Sequence, residues 1–293
     1  MFTRVGLFLA TNFAILMVLG VSMQVLGIDA YLADGGLNLS GLLFISAVIG
    51  FAGSFISLAM SKSMAKRSMG VRIIEQPRSA EERWLVETVQ RQARQAGIGM
   101  PEVGIFDSPQ PNAFATGMKR NAALVAVSTG LLHHMRPDEV EAVLGHEVSH
   151  VANGDMVTMG LLQGVLNTFV IFFSRIIGML IDRVVFKIER GYGPGYWIGS
   201  IFAQVILGIL ASIIAAWYSR RREYRADAGG AALAGREKMV AALQRLQAGR
   251  VTEDLPGQLA AFGIAGGIGQ GLAKLLATHP PLEVRIAALQ RGR

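Results

Sequence analysis

The sequence predicts a mainly helical α+β chain. Apolar helices of membrane-crossing length accompany a soluble portion in which further helices surround a small β-sheet. Three observations carry this prediction. Of the 293 residues, 52% are hydrophobic and 17% charged, with a mean hydropathy of +0.41, whereas a soluble domain has roughly 25% charged residues. The apolar residues gather in a few runs long enough to span a bilayer. The remaining segments show helix punctuation or short strand-like runs. This composition excludes a disordered chain and a purely soluble enzyme. Cysteine is absent, which excludes disulfides, Cys-ligated zinc, iron–sulfur clusters and a thiol nucleophile.

Residues 5–26 carry no charge and at 1.5 Å per residue reach roughly 33 Å, enough to cross a bilayer core. Residues 39–60 repeat that length. A cleaved signal peptide would have a shorter apolar region and a stronger basic start than Arg4, so a retained span is expected. Between the two runs stand Asp29 and Asp34 without Lys or Arg, and Lys62, Lys66, Arg67 and Arg72 follow the second. The positive-inside rule then sets the N-terminus and everything after residue 60 on the cytoplasmic side. Much of the net charge of +7 is therefore topological and lipid-facing, and nucleic acid is not expected as a partner.

From Arg72 the composition becomes ordinary. Residues 81–96 read as an exposed amphipathic helix ended by Gly97, and 103–106, 113–116 and 122–128 as short strands. His133 and His134 are expected in a loop, with no assigned role. Residues 136–155 are punctuated as a helix by Pro137, Asp138, Glu139 and Gly154, and Val140, Val143, Leu144, Val148 and Val151 form one apolar stripe.

Residues 157–181 and 196–218 are again long enough to cross, the first interrupted by Gln163, Asn167 and Arg175. Their connection holds Arg183, Lys187 and Arg190 beside Asp182 and Glu189, a poor outward loop, whereas Arg220, Arg221, Arg222 and Arg225 favour the inside. A second crossing hairpin is the expectation; the alternative is a helical pair buried in the cytoplasmic domain or lying in the interface. A further helix runs through about 212–233, another over 237–247, and a Pro-started one follows Thr278. The Gly-rich 263–271 lacks dinucleotide-binding spacing and reads as a loop beside the active site. The predicted division is a transmembrane hairpin at 1–61, the first part of a cytoplasmic domain at 62–156, a second hydrophobic hairpin at 157–218 and the remainder of the domain at 219–293.

His146-Glu147-Val148-Ser149-His150 places H-E-x-x-H inside the punctuated helix. Residues four apart are separated by about 400°, so both imidazoles project from one face, as two ligands of one small cation must. Glu147 lies beside them, placed to reach a water at the ion without itself being a ligand. A catalytic site needs a third protein ligand. Glu223 and Asp227 share a helical face; Glu223 can complete a His2Glu set while Asp227 orients an imidazole. The opposing reading pairs both carboxylates with Arg220, Arg221, Arg222 or Arg225; Asp155 and His279 are the other ligand candidates. These ligand types suggest Zn2+, one per chain.

At these residues the sequence resembles the HtpX-type membrane zinc endopeptidases, related more distantly to the CAAX prenyl protease. The resemblance runs through the paired N-terminal spans, PNAFATG at 111–117, HEVSHVANGD at 146–155, the following apolar hairpin, EYRAD at 223–227 and THPP at 278–281. It implies a zincin-like metalloprotease domain in which His146, His150 and Glu223 bind zinc and Glu147 is the catalytic carboxylate. Asn112 and Ala113 would border the substrate cleft. It also implies proteolysis of damaged or misfolded membrane proteins at a bacterial inner membrane, with the active site facing the cytosol.

The chemistry of the residues agrees. Glu147 is suited to take a proton from water and deliver it to the leaving amine, and His279 is a candidate second donor to the oxyanion, the other reading being that it merely precedes a Pro-started helix. An extended polypeptide can pair with the strand near 112–116, giving loose side-chain selectivity. The rival classes are a membrane-bound quality-control adaptor with structural zinc, and a transporter using Gln163, Asn167 and Arg175.

Overall fold

The computed structural model describes residues 38–188, 191–250 and 274–292. The expected first span at 5–26, its outward loop through residue 37 and the Gly-rich 263–271 lie outside them. In chain order the elements are α1 (Leu39–Ser68), β1 (Arg72–Ile73), α2 (Ala80–Gln95), β2 (Glu102–Phe106), β3 (Ala113–Thr116), β4 (Leu124–Ser128), α3 (Thr129–His134), α4 (Pro137–Asn153), α5 (Asp155–Val184), α6 (Pro194–Ala234), α7 (Arg236–Arg250) and α8 (Leu282–Gln290). The described residues are mainly helical with one small mixed sheet, as the sequence predicts. It divides into two compact units: Met1–Ser57 with Thr158–Ala215, and Leu58–Val157 with Ala216–Arg293.

The first unit holds the apolar parts of α1, α5 and α6, three helices long and apolar enough to cross a membrane. Small residues let them approach. A Cβ added at Gly50 of α1 would lie 2.6 Å from Thr168 Oγ1 and 2.7 Å from Gly164 O of α5, and one at Gly199 of α6 would lie 3.3 Å from Gly178 Cα of α5. Close backbone approach of this kind holds apolar helices together without a hydrophobic driving force between them. Phe172, Met179 and Tyr196 form the interior, while Phe44, Ile45, Val48, Ile201, Phe202 and Val205 face outward. Asp182 is buried at the end of α5 and accepts the backbone N–H of Gly193, capping the approach to α6.

The second unit contains the sheet, ordered β1-β2-β4-β3, with β2 and β4 parallel and the outer pairs antiparallel. Both faces of β4 are covered, so it reads as a continuous apolar run. Val125 and Val127 join Leu85 and Val89 of α2 and Val140, Leu144 and Val148 of α4 in the main core; Leu124 and Ala126 pack with Phe106 on the opposite face. Leu85, Leu144 and Val148 are fully buried, a contribution of about 1.5–3 kcal/mol each. β3 has β4 as its single neighbour in this sheet, leaving its other edge unpaired there.

Three local differences from the sequence reading have physical causes. β1 was not anticipated, because two residues show no periodicity. β4 starts at Leu124, preceded by a 3-10 turn at Arg120–Ala122. His133 and His134 lie on α3 instead of in a loop: Ser128 caps this short helix, its Oγ accepting the N–H of Leu131 at 2.9 Å.

Candidate metal centre

α4 forms where its punctuation requires. Pro137 occupies the first turn, the Glu139 carboxylate accepts the Arg136 backbone N–H at 2.8 Å, and Gly154 closes the helix in the left-handed region at φ 71°. The valine and leucine stripe enters the core. That fixes the rotation of the helix and therefore the direction of His146 and His150, both buried. Their rings meet edge to face, with centroids 4.7 Å apart and Nε2 atoms 3.1 Å apart.

Glu223 of α6 is completely buried against this pair. Its Oε1 lies 3.3 Å from His150 Nε2 and its Oε2 3.5 Å from His146 Nε2. Glycine makes this possible: a Cβ on Gly230 would stand 3.0 Å from the His146 backbone N, and one on Gly145 would stand 3.3 Å from Gly230 Cα. α4 and α6 thus touch backbone to backbone beside the histidines.

The three side chains fit a divalent cation. Each offers one ligand atom, all within 4.8 Å of one another. Bonds of about 2.0–2.1 Å in a tetrahedron require ligand-to-ligand separations of about 3.4 Å; the two Nε2 atoms are 3.1 Å apart, and each has one of the two Glu223 oxygens at 3.3 or 3.5 Å. Glu223 Oε1 is buried without a well-aligned hydrogen bond, so an electropositive partner is the missing element.

Further groups orient each of the three side chains. His150 Nδ1 donates to Asp155 Oδ2 at 2.7 Å. His146 Nδ1 lies 2.9 Å from Asp227 Oδ1, too obliquely for a straight hydrogen bond. Arg285 of α8 grips Asp227 through Nε at 2.8 Å and Nη2 at 2.6 Å, and its Nη1 reaches within 3.6 Å of Glu223 Oε2. His279 Nδ1 donates to Glu223 Oε2 at 2.7 Å.

The field here favours positive charge. Burial opposes an imidazolium at His150, but Asp155 and Glu223 outweigh it and push the pKa up to about 9. His146 is also raised, with Asp227 and Glu223 overcoming burial. Burial disfavours ionised Glu223, yet the three histidines hold its carboxyl far below the usual range.

A cleft of about 780 Å³ opens onto the site. Asn112, Ala113, Glu147, His279, His146 and Glu223 line it, and Val143, Met239 and Leu243 extend the hydrophobic core into its wall. The structure therefore brings together the residues singled out in the sequence. Asp155 is not in the three-residue cluster: it supports His150, and His279 contacts Glu223. Nor do the nearby arginines neutralise the two carboxylates, since Asp227 pairs with Arg285. Sequence reading missed Arg285, which lies 58 residues from Asp227 and carries no local signal. Asp155, one of the sequence's ligand candidates, instead accepts from His150 Nδ1.

Two buried histidines of an H-E-x-x-H helix joined by a buried glutamate from α6, beside a cleft in a chain with membrane-length apolar helices, define a membrane metalloprotease. The model of peptidase family M48 matches residues 79–292, and the chain belongs to that family. It is 64% identical over 289 residues to Protease HtpX of Thioalkalivibrio sulfidiphilus, covering 98% of each chain. It is 65% identical over 294 residues to Protease HtpX of Nitrosococcus oceani, covering 99% of each. The crystal structure of S. mikatae Ste24p has a similar fold, with a TM-score of 0.63 at 17% identity over 96% of this chain and 67% of that one.

Proposed function

We propose that this chain is a zinc-dependent endopeptidase of the bacterial inner membrane that cleaves misfolded or damaged membrane polypeptides on the cytoplasmic side. The observation that carries the reading is the convergence of His146, His150 and Glu223, which offer one ligand atom each within 4.8 Å of one another. Two imidazoles and one carboxylate without thiolate suit zinc. The bound ion would polarise the scissile carbonyl and supply a water acidic enough to attack near neutral pH.

The chain's own residues perform the rest. Glu147, partly exposed in the cleft, takes one proton from the attacking water as the new C–O bond forms. It returns that proton to the amine as the C–N bond breaks. His279 donates its Nδ1–H to Glu223, and in the imidazolium form its Nε2–H is the second donor offered to the oxyanion. The free side of β3, with Asn112 and Ala113 at its start, would accept an extended substrate by backbone pairing. Such pairing reads exposed chain more than side-chain identity, which suits damaged proteins.

Residues 1–61 and 157–218 would form two membrane hairpins, and 62–156 with 219–293 the protease domain. The division into two compact units and the outward apolar faces of α1 and α6 support this layout, as does the basic cluster from Arg220 to Arg225. A structural-zinc adaptor is disfavoured because Glu147 and the ligands open on a cleft that an adaptor does not need.

Glu147→Gln is the decisive variant. It should retain zinc and lose cleavage of an unfolded polypeptide by about 10²–10⁴-fold. Cleavage at the wild-type rate would remove Glu147 from the chemistry.

A further inference from the structure

Arg220 lies one helical turn before Glu223 on α6. Its Nη1 donates to two backbone carbonyls, Leu275 O at 2.9 Å and Ala277 O at 2.5 Å. Those carbonyls belong to the segment that enters His279, and His279 returns to the same helix by donating Nδ1–H to Glu223 Oε2 at 2.7 Å. The loop is closed: α6 holds the 275–277 backbone with one residue and receives the following imidazole with another.

The contact differs from that of its neighbours. Arg221 lies over the Trp217 ring with its guanidinium carbon 4.7 Å from the centroid, and Arg225 reaches Asp155 at 3.5 Å. Charge-assisted bonds to carbonyls are stronger than neutral ones, and a carbonyl pair gripped by a single nitrogen fixes both the height and the direction of a backbone segment. His279 has a half-exposed side chain on the cleft wall. Its placement therefore depends on the path of the chain leading into it.

We propose that Arg220 is a positioning residue of the metal centre: by clamping the carbonyls of Leu275 and Ala277 it sets His279 against Glu223, and so fixes the carboxylate that completes the ligand set. The assignment rests on the peptidase reading for its kinetic readout, but metal affinity tests it separately.

The experiment uses the full-length protein in detergent or proteoliposomes, with zinc affinity from chelator competition and with kcat and KM measured at saturating zinc. Arg220→Gln should weaken zinc binding and lower kcat by about tenfold or more each, with KM within about twofold, as expected when a group supporting a ligand is displaced. Arg220→Lys should recover most of both, because one nitrogen makes both bonds and an ammonium can replace it. Arg221→Gln, which removes the same charge from the same helix, should change neither. In a His279→Ala background the Arg220→Gln effects should shrink to about twofold, since residues acting through one another are not additive.

Equal losses in the two backgrounds, or zinc affinity unchanged in Arg220→Gln, would overturn the proposal. If Arg220→Gln does not fold, recovery of folding but not zinc affinity in Arg220→Lys would also overturn it. Failure of the peptidase reading looks different: wild-type protein would bind zinc and cleave nothing, while the dependence of zinc affinity on Arg220 and His279 would still be measured.

Discussion

His150 donates its Nδ1–H to Oδ2 of Asp155 at 2.7 Å, and Asp155 is almost completely buried. This bond commits the imidazole to one tautomer and turns the Nε2 lone pair toward His146 and Glu223. Asp155→Ala should therefore weaken metal binding by about 10–100-fold, with Asp155→Asn lying between it and wild type. Competition with a chromogenic chelator measures the difference.

The seam between α4 and α6 has no room for a side chain. A Cβ on Gly230 would sit 3.0 Å from His146 N and 3.1 Å from Met239 Sδ. Gly230→Val should cost about 1–3 kcal/mol through overpacking and spread Glu223 from the histidines. Thermal unfolding and zinc stoichiometry should fall together.

Arg285 is buried and holds Asp227 through two bonds. Arg285→Met takes the guanidinium from that buried carboxylate and leaves it the oblique His146 contact, and loss of one partner from a buried pair costs about 3–5 kcal/mol. Arg285→Lys should be intermediate, keeping the charge without the planar fork. Denaturant unfolding of the solubilised protein would rank the three.

Far from the metal site, Glu82 accepts the Arg78 backbone N–H at 2.7 Å and pairs with Arg72 at 2.7 Å. These contacts lower its pKa below the ordinary 4.5, the Arg78 bond being the larger cause. The unfolded chain therefore binds the proton first as pH falls. The stabilisation from Glu82 is present above 4.5 and disappears as pH drops through the folded value. Wild type should exceed Glu82→Gln in apparent Tm at pH 7, and the gap should close in acid.

Because the chain has no cysteine, single introduced thiols can report its orientation cleanly. Tyr192→Cys, in the exposed connection between α5 and α6, should react with a membrane-impermeant maleimide in spheroplasts. Arg94→Cys on α2 should react only after lysis. The reverse pattern would invert the proposed orientation.

The parts of the site legible in the sequence are those governed by spacing along one helix. His146 with His150, and Glu223 with Asp227, stand four apart, and helical geometry alone puts each pair on a common face. The limits of α4 were equally readable from Pro137 and Gly154. Partners joined by packing were not: the Asp227–Arg285 grip spans 58 residues, and nothing local in Arg285 distinguishes it from a surface arginine. α3 escaped because six residues are too few for a periodic signal, although Ser128 was available as its cap. The glycines at 145 and 230 gave no warning either, since close approach of two helices is a property of both at once.

The left-handed Gly154 lets α4 end and α5 begin at the very next residue, so the junction has no slack. One inserted residue there would add up to about 3.8 Å of chain between His150 and Asp155 and carry the carboxylate out of reach of the imidazole. The spacing between histidine and aspartate is thus a fixed ruler: substitutions at this corner can be graded, but a change of length is all or nothing.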